Sequence, residues 1–557
     1  MNPDVQARLE RFKSTPIDGQ TLKKLVEAGL TWLRANQQTV NLLNVFPVPD
    51  GDTGTNMVLT MQSAYNEIAQ LGYHSVGQMA AAVSQGALMG ARGNSGVILS
   101  QLWRGFARAL HNQEFLDGPA MARAFAEGRD TAYKGVVRPV EGTILTVAKD
   151  TATAAEEALR ETKDPFEILA RIVPAANASV ERTPDLLPVL KQAGVVDSGG
   201  KGLFFILEGM LRYINGEPLD TPTATVQPLS AMNLENAMED IEPGQDFEVV
   251  VDFIPDKELD LRNFYSELET MGTSIQVGEG EGMYRMHIHV PTENRNKPAD
   301  YIMSLGTITK VAMENLAAQM ENVNKKSAGG RIEPLGIEPG QIAVVSVSPG
   351  RGISRVFASL GAAGIVEGGQ TMNPSIKDIL DAFENLPTEN VIILPNNKNI
   401  ILAAQQAKEV TVKHVYIIPS RSIPQGLAAM MHLNLDGDVE TVAAKMAKSI
   451  EDVITVEITT ATRTVEIDGV SVEHGQVIAL VNGKLAFSAG SVQEACLGAL
   501  EKAGASEHEL ITLFYGEDLS STEANRIVDA IRAAYPAQEI ELQDGGQPHY
   551  QFIISVE

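Results

Sequence analysis

The sequence of 557 residues contains one cysteine, Cys496, and no apolar run of about 18 residues that could cross a membrane. A single cysteine cannot form an internal disulfide bond, which suits a reducing compartment, and the first residues lack an apolar signal segment. Basic residues are also scarce, with 44 Lys and Arg against 71 Asp and Glu, and the net charge of -27 repels nucleic acid. These absences predict a cytoplasmic protein without an integral membrane segment and without a nucleic-acid partner.

The P-loop pattern GxxxxGK[ST] is missing too, and the run GGKGL at residues 199–203 does not fit it. A nucleotide site in this chain must therefore be built in another way. The length predicts about three domains, and the hydrophobic content of 44% is sufficient for packed cores.

The densest group of candidate site residues is NVFPVPDGDTGTN, residues 44–56. Asp50 and Asp52 flank Gly51, and glycine lets the backbone turn both carboxylates toward one point. Carboxylate oxygens are ligands for Mg²⁺, and the helical periodicity that resumes at Met57 places free N-terminal amides beside them for phosphate. The stretch predicts a magnesium and phosphate site. The alternative is a capped turn, in which the aspartates only satisfy the helix amides.

Three further glycine-rich turns each precede an apolar helix: GARGNSG at 90–96, PVEGT at 139–143 and DSGGKG at 197–202. If the four helix starts converge at one end of a bundle, their amides can surround a triphosphate, with Asp197 near the metals. The predicted nucleotide-binding residues are Thr53, Gly54, Thr55, Asn56, Gly93, Asn94, Ser95, Gly96, Gly142, Thr143, Asp197, Gly199 and Gly200.

These four segments resemble the ATP-binding L subunit of dihydroxyacetone kinases. Over the whole chain, including the final GGQPHYQFIISVE, the sequence resembles the catalytic subunits of bacterial fatty acid kinases. The resemblance implies an eight-helix barrel that binds ATP with two Mg²⁺, held by Asp50 and Asp52. Dihydroxyacetone kinases have a further aspartate slightly upstream, and Asn44 lies near that position with one apparent extra residue between. Asn44 is therefore a third candidate magnesium ligand. Arg92 is a candidate for stabilising the transferred phosphate, and a surface or packing role fits it equally well.

The chain divides into a helical kinase domain at 1–215, a linker rich in Pro, Thr and acidic residues at 216–244, a small α/β middle domain at 245–325 and an α/β domain at 338–557. In the middle domain, the pattern predicts a helix over 299–320. The resemblance implies that the last domain has the DegV fold and binds the partner protein.

His287 and His289 alternate along a predicted strand of the middle domain, so they point to one face and could share a metal. The alternative is a pair of solvent-facing histidines. The resemblance implies a zinc site there with a cysteine on the first strand, and the matching residue in this sequence is Asp246. A structural or regulatory zinc ion is thus predicted at Asp246, His287 and His289.

The residues of the glycine-rich turns also indicate which chemical group accepts the phosphate. A hydroxyl acceptor needs a base, and the turns contain no histidine, whereas a carboxylate with a pKa of roughly 4 to 5 is already ionised. The resemblance implies that a fatty acid is presented by a DegV-type binding protein and leaves as acyl phosphate for phospholipid synthesis; a homodimer is compatible with it. The alternatives are a component of a kinase for dihydroxyacetone or another polyol, and a non-catalytic nucleotide-binding regulator.

Overall fold

The computed structural model describes residues 17–44, 51–219, 227–228, 246–257, 259–280, 283–315, 336–370, 372–461, 465–467, 470–473 and 475–557. These residues form a helical region followed by two α/β regions, as predicted. Most of the predicted linker at 216–244 lies outside them. No helix in the described ranges is both long and apolar enough to cross a membrane.

The first region contains ten helices within residues 17–44 and 51–219, and eight of them have 14 residues or more. The long helices form a closed ring, because each packs on the next and the last packs back on the first. The helices are α1 (Gly19–Ala35), α2 (Gln37–Leu43), α3 (Thr53–Ile68), α4 (Val76–Met89), α5 (Gly93–Ala109), α6 (Gly118–Gly135), α7 (Ile144–Ala158), α8 (Pro165–Leu186), α9 (Pro188–Ala193) and α10 (Ser198–Asn215).

Helix direction alternates around the ring, so the long helices begin at two opposite ends. At one end, Ile17 forms a backbone bridge with Leu116, and the Gly118 amide donates to the Lys163 carbonyl at 3.1 Å. An acceptor side chain caps each helix that starts there, as expected for Asp and Ser at this position. These caps are Asp18, Ser75, Asp117 and Asp164.

The middle region is a five-stranded sheet in the order β1-β3-β4-β2-β5 with two helices. Its elements are β1 (Gln227–Pro228), β2 (Phe247–Pro255), α11 (Leu261–Glu269), β3 (Thr273–Gly280), β4 (Met283–Val290), a 3-10 turn (Thr292–Asn294), α12 (Lys297–Met303) and β5 (Gly306–Asn315). The predicted helix over 299–320 is wrong over 306–315, and its last five residues lie outside the described ranges. The β-branched Thr307, Ile308, Thr309 and Val311 favour a strand, and β5 pairs with β2.

The last region contains two main sheets. The first is a parallel sheet in the order β7-β6-β8-β9, and the second is a mixed sheet in the order β14-β13-β10-β17-β15-β16. The elements are β6 (Ile342–Ser348), α13 (Arg351–Ser359), β7 (Gly364–Glu367), α14 (Ile376–Asp381), β8 (Asn390–Leu394), α15 (Ile401–Val410), β9 (His414–Ile417), α16 (Ile423–Met430), α17 (Val439–Ser449), β10 (Ile454–Thr460), β11 (Val465–Ile467), β12 (Val470–Val472), β13 (Val477–Val481), β14 (Lys484–Ala489), α18 (Val492–Lys502), a 3-10 turn (Ala505–Glu507), β15 (Leu510–Tyr515), α19 (Ser521–Ala534), β16 (Glu539–Asp544) and β17 (Tyr550–Val556).

The parallel sheet packs against the helical region. Leu88, Ala91 and Val97 of the helical region belong to the same apolar cluster as Val347 and Ile393 of the sheet. Segments that follow the carboxyl ends of β7 and β8 reach the start of α5. In parallel α/β sheets this edge is the one that usually carries a binding site.

Candidate functional site

Four helix starts meet at the end of the ring opposite the caps Asp18, Ser75, Asp117 and Asp164. The Ser198 hydroxyl of α10 donates to the Thr53 hydroxyl of α3 at 3.3 Å. A Cβ built on Gly199 would lie 3.3 Å from Ile144 Cβ at the start of α7 and 3.5 Å from Ser95 Oγ of α5. We call the starts of α3, α5, α7 and α10, with Asp52, the rim.

The rim is suited to an anion. Each helix start has a positive partial charge of about half an elementary charge and amides without helical acceptors. Glycine keeps the surface open, since any Cβ on Gly199 would fill the space between three helix starts. Gly93 has φ +55, and a Cβ there would lie 2.7 Å from Asn56 Nδ2.

Asp52 precedes α3 directly, yet its carboxylate makes no capping bond to that helix. The capping acceptor is Asn41 instead, whose Oδ1 accepts from the amides of Gly54 at 2.7 Å and Thr55 at 3.2 Å. The turn is therefore capped, but not by Asp52, which is 6% exposed and accepts a hydrogen bond from Asn373 Nδ2. No short motif marks Asn41, and sequence reasoning missed it.

Several predicted nucleotide-binding groups are already used inside the protein. The Asn41 side chain accepts hydrogen bonds from the amides of Gly54 and Thr55. The Thr55 hydroxyl accepts from the side-chain amides of Asn41 and of Gln37 in α2, at 3.1 Å each. The Gly142 amide donates to Thr146 Oγ1 at 2.8 Å. The structure brings together six of the predicted residues at the helix starts: Thr53, Asn56, Gly93, Ser95, Asp197 and Gly199. Their role in nucleotide binding stays a prediction.

Asp197 caps α10 through the Gly200 amide, at 2.7 Å. Burial raises the pKa of this carboxyl from 3.8 to about 6, although the amides of Gly200 and Ile144 act in the opposite direction. Asp197 therefore reaches the start of α7 as well as its own helix. Thr143 caps α7 in turn, accepting from the Leu145 amide at 3.4 Å.

Arg92 and Asn94 contact the last region. The Arg92 guanidinium donates to the Asn373 carbonyl at 3.0 Å and pairs with Asp378 at 3.3 Å. Asn94 Nδ2 donates to Asn399 Oδ1 at 3.2 Å. These side chains connect the helical region to the last region. For Arg92, such contacts correspond to the packing role that the sequence left open.

Two other predicted positions lie at the edge of the described chain. Asn44 ends α2, where its amide donates to the Asn41 carbonyl at 3.1 Å. Asp50 lies outside the described residues, as does the rest of 45–50. Gly96 is in the first turn of α5, and its amide donates to the Arg92 carbonyl at 3.1 Å.

The middle region has a second polar site, buried in its sheet. Glu248, His287 and His289 each offer a ligand atom, and these atoms lie within 4.8 Å of one another. Glu248 Oε1 is 2.9 Å from His287 Nε2, and neither imidazole is exposed. The two histidines are therefore not the solvent-facing pair of the alternative interpretation. Two imidazoles and a carboxylate are a ligand set that zinc accepts.

Asp246, the predicted third ligand, is not part of this cluster, which corrects the prediction. The register pairs Glu248 with His289 and Phe247 with Val290, so Asp246 lies beyond the end of β4. Its carboxylate accepts from the Thr292 hydroxyl at 2.6 Å instead. The carboxylate that lies beside the two histidines belongs to Glu248, two residues further along the chain.

The comparisons with known proteins agree across the whole chain. Models of three families match: the DAK2 domain at 47–212, the FakA-like middle domain of fatty acid kinases at 242–323 and the FakA-like C-terminal domain at 343–557. Protein YloV of Bacillus subtilis is 39% identical over 554 residues, which cover 97% of this chain and 99% of that protein. The chain belongs to the FakA-like fatty acid kinase family. The resemblance that the sequence motifs indicated is thereby confirmed.

Two solved structures each match about one third of this chain. The Streptococcus pneumoniae Fatty Acid Kinase (Fak) B3 protein, loaded with linoleic acid, matches with a TM-score of 0.25 and 16% identity, over 33% of this chain and 76% of that chain. The C. freundii dihydroxyacetone kinase in complex with AMP-PNP and Mg²⁺ matches with a TM-score of 0.28 and 19% identity, over 36% of this chain and 35% of that chain.

The family matches coincide with the two polar sites. The DAK2 match contains all four helix starts of the rim, and the middle-domain match contains Glu248, His287 and His289. The chain is therefore related to kinases by the domain that carries the rim. The barrel description of that domain and the DegV-like fold of the last domain stay predictions.

Proposed function

We propose that this protein is the ATP-dependent catalytic subunit of a fatty acid kinase. The observation that carries the proposal is the rim, where four helix starts meet and a buried aspartate directly precedes one of them, in a chain of this family. A fatty acid carboxylate oxygen attacks the terminal phosphorus of ATP, the bond to the bridging oxygen breaks, and acyl phosphate and ADP leave. The rim amides and hydroxyls stabilise the phosphate charge that develops during transfer.

Asp52 fits a magnesium ligand, because its carboxylate is buried and is not used as the cap of α3. Asp50 completes the pair, Asn44 is the third oxygen donor that we assign to the two metal ions, and we place Asp197 near them as a nucleotide-binding residue. Magnesium, when bound, neutralises the phosphates and orients them for in-line transfer. Arg92 directly precedes α5, and we assign its positive charge to stabilising the transferred phosphate.

The carboxylate acceptor suits the rim, because the residues that the structure brings together there include no histidine to act as a base. We assign presentation of the fatty acid to a DegV-type partner bound by the last region. In this proposal the protein acts in the cytoplasm, as a monomer or a homodimer.

Zinc is the metal proposed for Glu248, His287 and His289. The site lies in a different domain from the rim, and all three side chains are buried. Its role in this proposal is structural or regulatory.

The function is tested with ATP labelled at the terminal phosphate. Purified protein and Mg²⁺ are incubated alone, with dihydroxyacetone, or with a fatty-acid-loaded DegV-type protein. We expect a labelled lipid that hydroxylamine destroys, only in the third mixture. Phosphorylation of dihydroxyacetone would instead establish the polyol kinase, and nucleotide binding without any product would establish the regulator.

A further inference from the structure

A residue of the last region enters the rim. Asn373, 2% exposed, comes from the segment between β7 and α14 and lies 321 residues from Asp52 in the sequence. Its Nδ2 donates to Asp52 Oδ2, and its main-chain carbonyl accepts from Arg92. One residue of the partner-binding domain thus contacts both charged side chains that flank the rim.

The other end of the same amide has no hydrogen-bond partner among the described residues. Asn373 Oδ1 is buried, and a buried amide oxygen normally finds a donor. Here it lies in the same side chain that holds a carboxylate proposed to bind Mg²⁺. An oxygen in this place suits a hard cation or a water molecule bound to one.

Asn373 belongs to a segment that makes several contacts with the helical region. Ser375 and Asp378 form a reciprocal capping pair at the start of α14, with the Ser375 amide 2.8 Å from Asp378 Oδ2. Asp378 also pairs with Arg92, and the Ile376 amide donates to the Ala91 carbonyl at 3.2 Å. The contact with Asp52 is therefore part of a fixed domain junction and not the chance position of a surface side chain.

We propose that Asn373 is a positioning residue of the magnesium–nucleotide site, which fixes Asp52 from the last domain and directs its amide oxygen to the metal. The inference rests on the proposed function of the rim as a magnesium–nucleotide site. It makes nucleotide binding dependent on the docking of the partner-binding domain.

The competing interpretation is that Asn373 only joins the two domains. The chain offers a matched control for it in Gln406 of α15, whose Oε1 accepts from Gln101 Nε2 of α5 at 2.7 Å. This pair is also buried and crosses the same junction, but Gln101 lies two turns away from the rim along α5. A joining role predicts similar effects for both substitutions, whereas a positioning role does not.

The test measures the Mg²⁺ concentration that gives half-maximal binding of a non-hydrolysable ATP analogue. We expect Asn373→Ala to raise this concentration by about 10- to 100-fold, as loss of a residue that orients a metal ligand usually does, while Gln406→Ala leaves it unchanged. Thermal unfolding in EDTA reports whether either variant has lost its fold. A shift in Asn373→Ala no larger than that in Gln406→Ala would overturn the inference.

Failure of the Asn373 inference can be distinguished from failure of the proposed kinase function. If the wild-type protein binds the analogue with Mg²⁺ but forms no acyl phosphate, the proposed reaction fails and the Asn373 comparison still decides this inference. If the wild-type protein shows no magnesium-dependent binding, both are overturned.

Discussion

The two polar sites of this molecule are built in opposite ways. The rim collects side chains and amides from four helix starts that are far apart in the sequence, and its glycine-rich turns are visible as motifs. The cluster in the middle region is set by the register of two neighbouring strands, so a shift of two residues changes its carboxylate. A sequence motif therefore identifies a helix start more reliably than it identifies a partner residue across a sheet.

The largest expected effect concerns the rim. Asp52→Asn keeps the size of the side chain and removes its charge, so phosphoryl transfer should fall by at least about 100-fold. Transfer of labelled phosphate measures it. The matched control is Asp117→Asn, which changes the cap of α6 at the opposite end of the ring. Equal activity in Asp52→Asn and wild type would remove Asp52 from the catalytic site.

The second prediction concerns the cluster. Glu248→Ala should lower zinc affinity by about 10- to 100-fold, since it removes one of three protein ligands. Asp246→Ala should leave it unchanged, because that carboxylate contacts Thr292. Elemental analysis after dialysis against a weak chelator measures the bound zinc. Loss of zinc in Asp246→Ala alone would restore the assignment made from the sequence.

The third prediction concerns the close contact between Gly93 and Asn56 at the rim. Gly93→Ala should lower the free energy of unfolding by about 2 kcal/mol, because positive φ is costly for alanine and the new Cβ meets Asn56. Gly194→Ala, also at positive φ but with no atom within 4 Å, isolates the backbone cost of about 1 kcal/mol. Both tryptophans, Trp32 and Trp103, are in the helical region, so their fluorescence during urea unfolding reports this domain. Equal losses in the two variants would contradict the close contact at Gly93.

The smallest effect is the pH dependence at Asp197. Its folded-state pKa of about 6 exceeds the ordinary 3.8, so its stabilising contribution is complete below pH 3.8 and disappears as the pH rises through about 6. Relative to Asp197→Asn, which retains a capping side chain, the wild type should lose stability over this window, by about 1.4 kcal/mol for each unit by which burial raises the pKa of Asp197. Urea unfolding in EDTA between pH 3.5 and 7 measures the difference. A constant difference would show that burial does not perturb Asp197.

Much of the fold could be predicted from the sequence where a pattern is local. The helical first region followed by α/β regions follows from long apolar periodicities, and the glycine-rich turns mark where α3, α5, α7 and α10 begin. Over 306–315 the helix prediction was wrong. The spacing of the apolar residues suited a helix, whereas the β-branched residues favoured the strand β5.

The remaining site residues could not be found because tertiary structure selects them. Asn41 caps α3 from a different helix, and Asn373 reaches Asp52 from another domain. Glu248 became visible only when the strands were in register. None of these three residues belongs to a motif, so only the contacts of the folded chain identify them.

The central claim is that the rim is the magnesium–nucleotide site and the cluster is not. Calorimetric titration with a non-hydrolysable ATP analogue tests it most directly, with and without Mg²⁺, on the wild type, Asp52→Asn and Glu248→Ala. We expect binding that requires Mg²⁺, is lost in Asp52→Asn and is retained in Glu248→Ala. Binding that survives in Asp52→Asn, or disappears in Glu248→Ala while the helical domain stays folded, would contradict it.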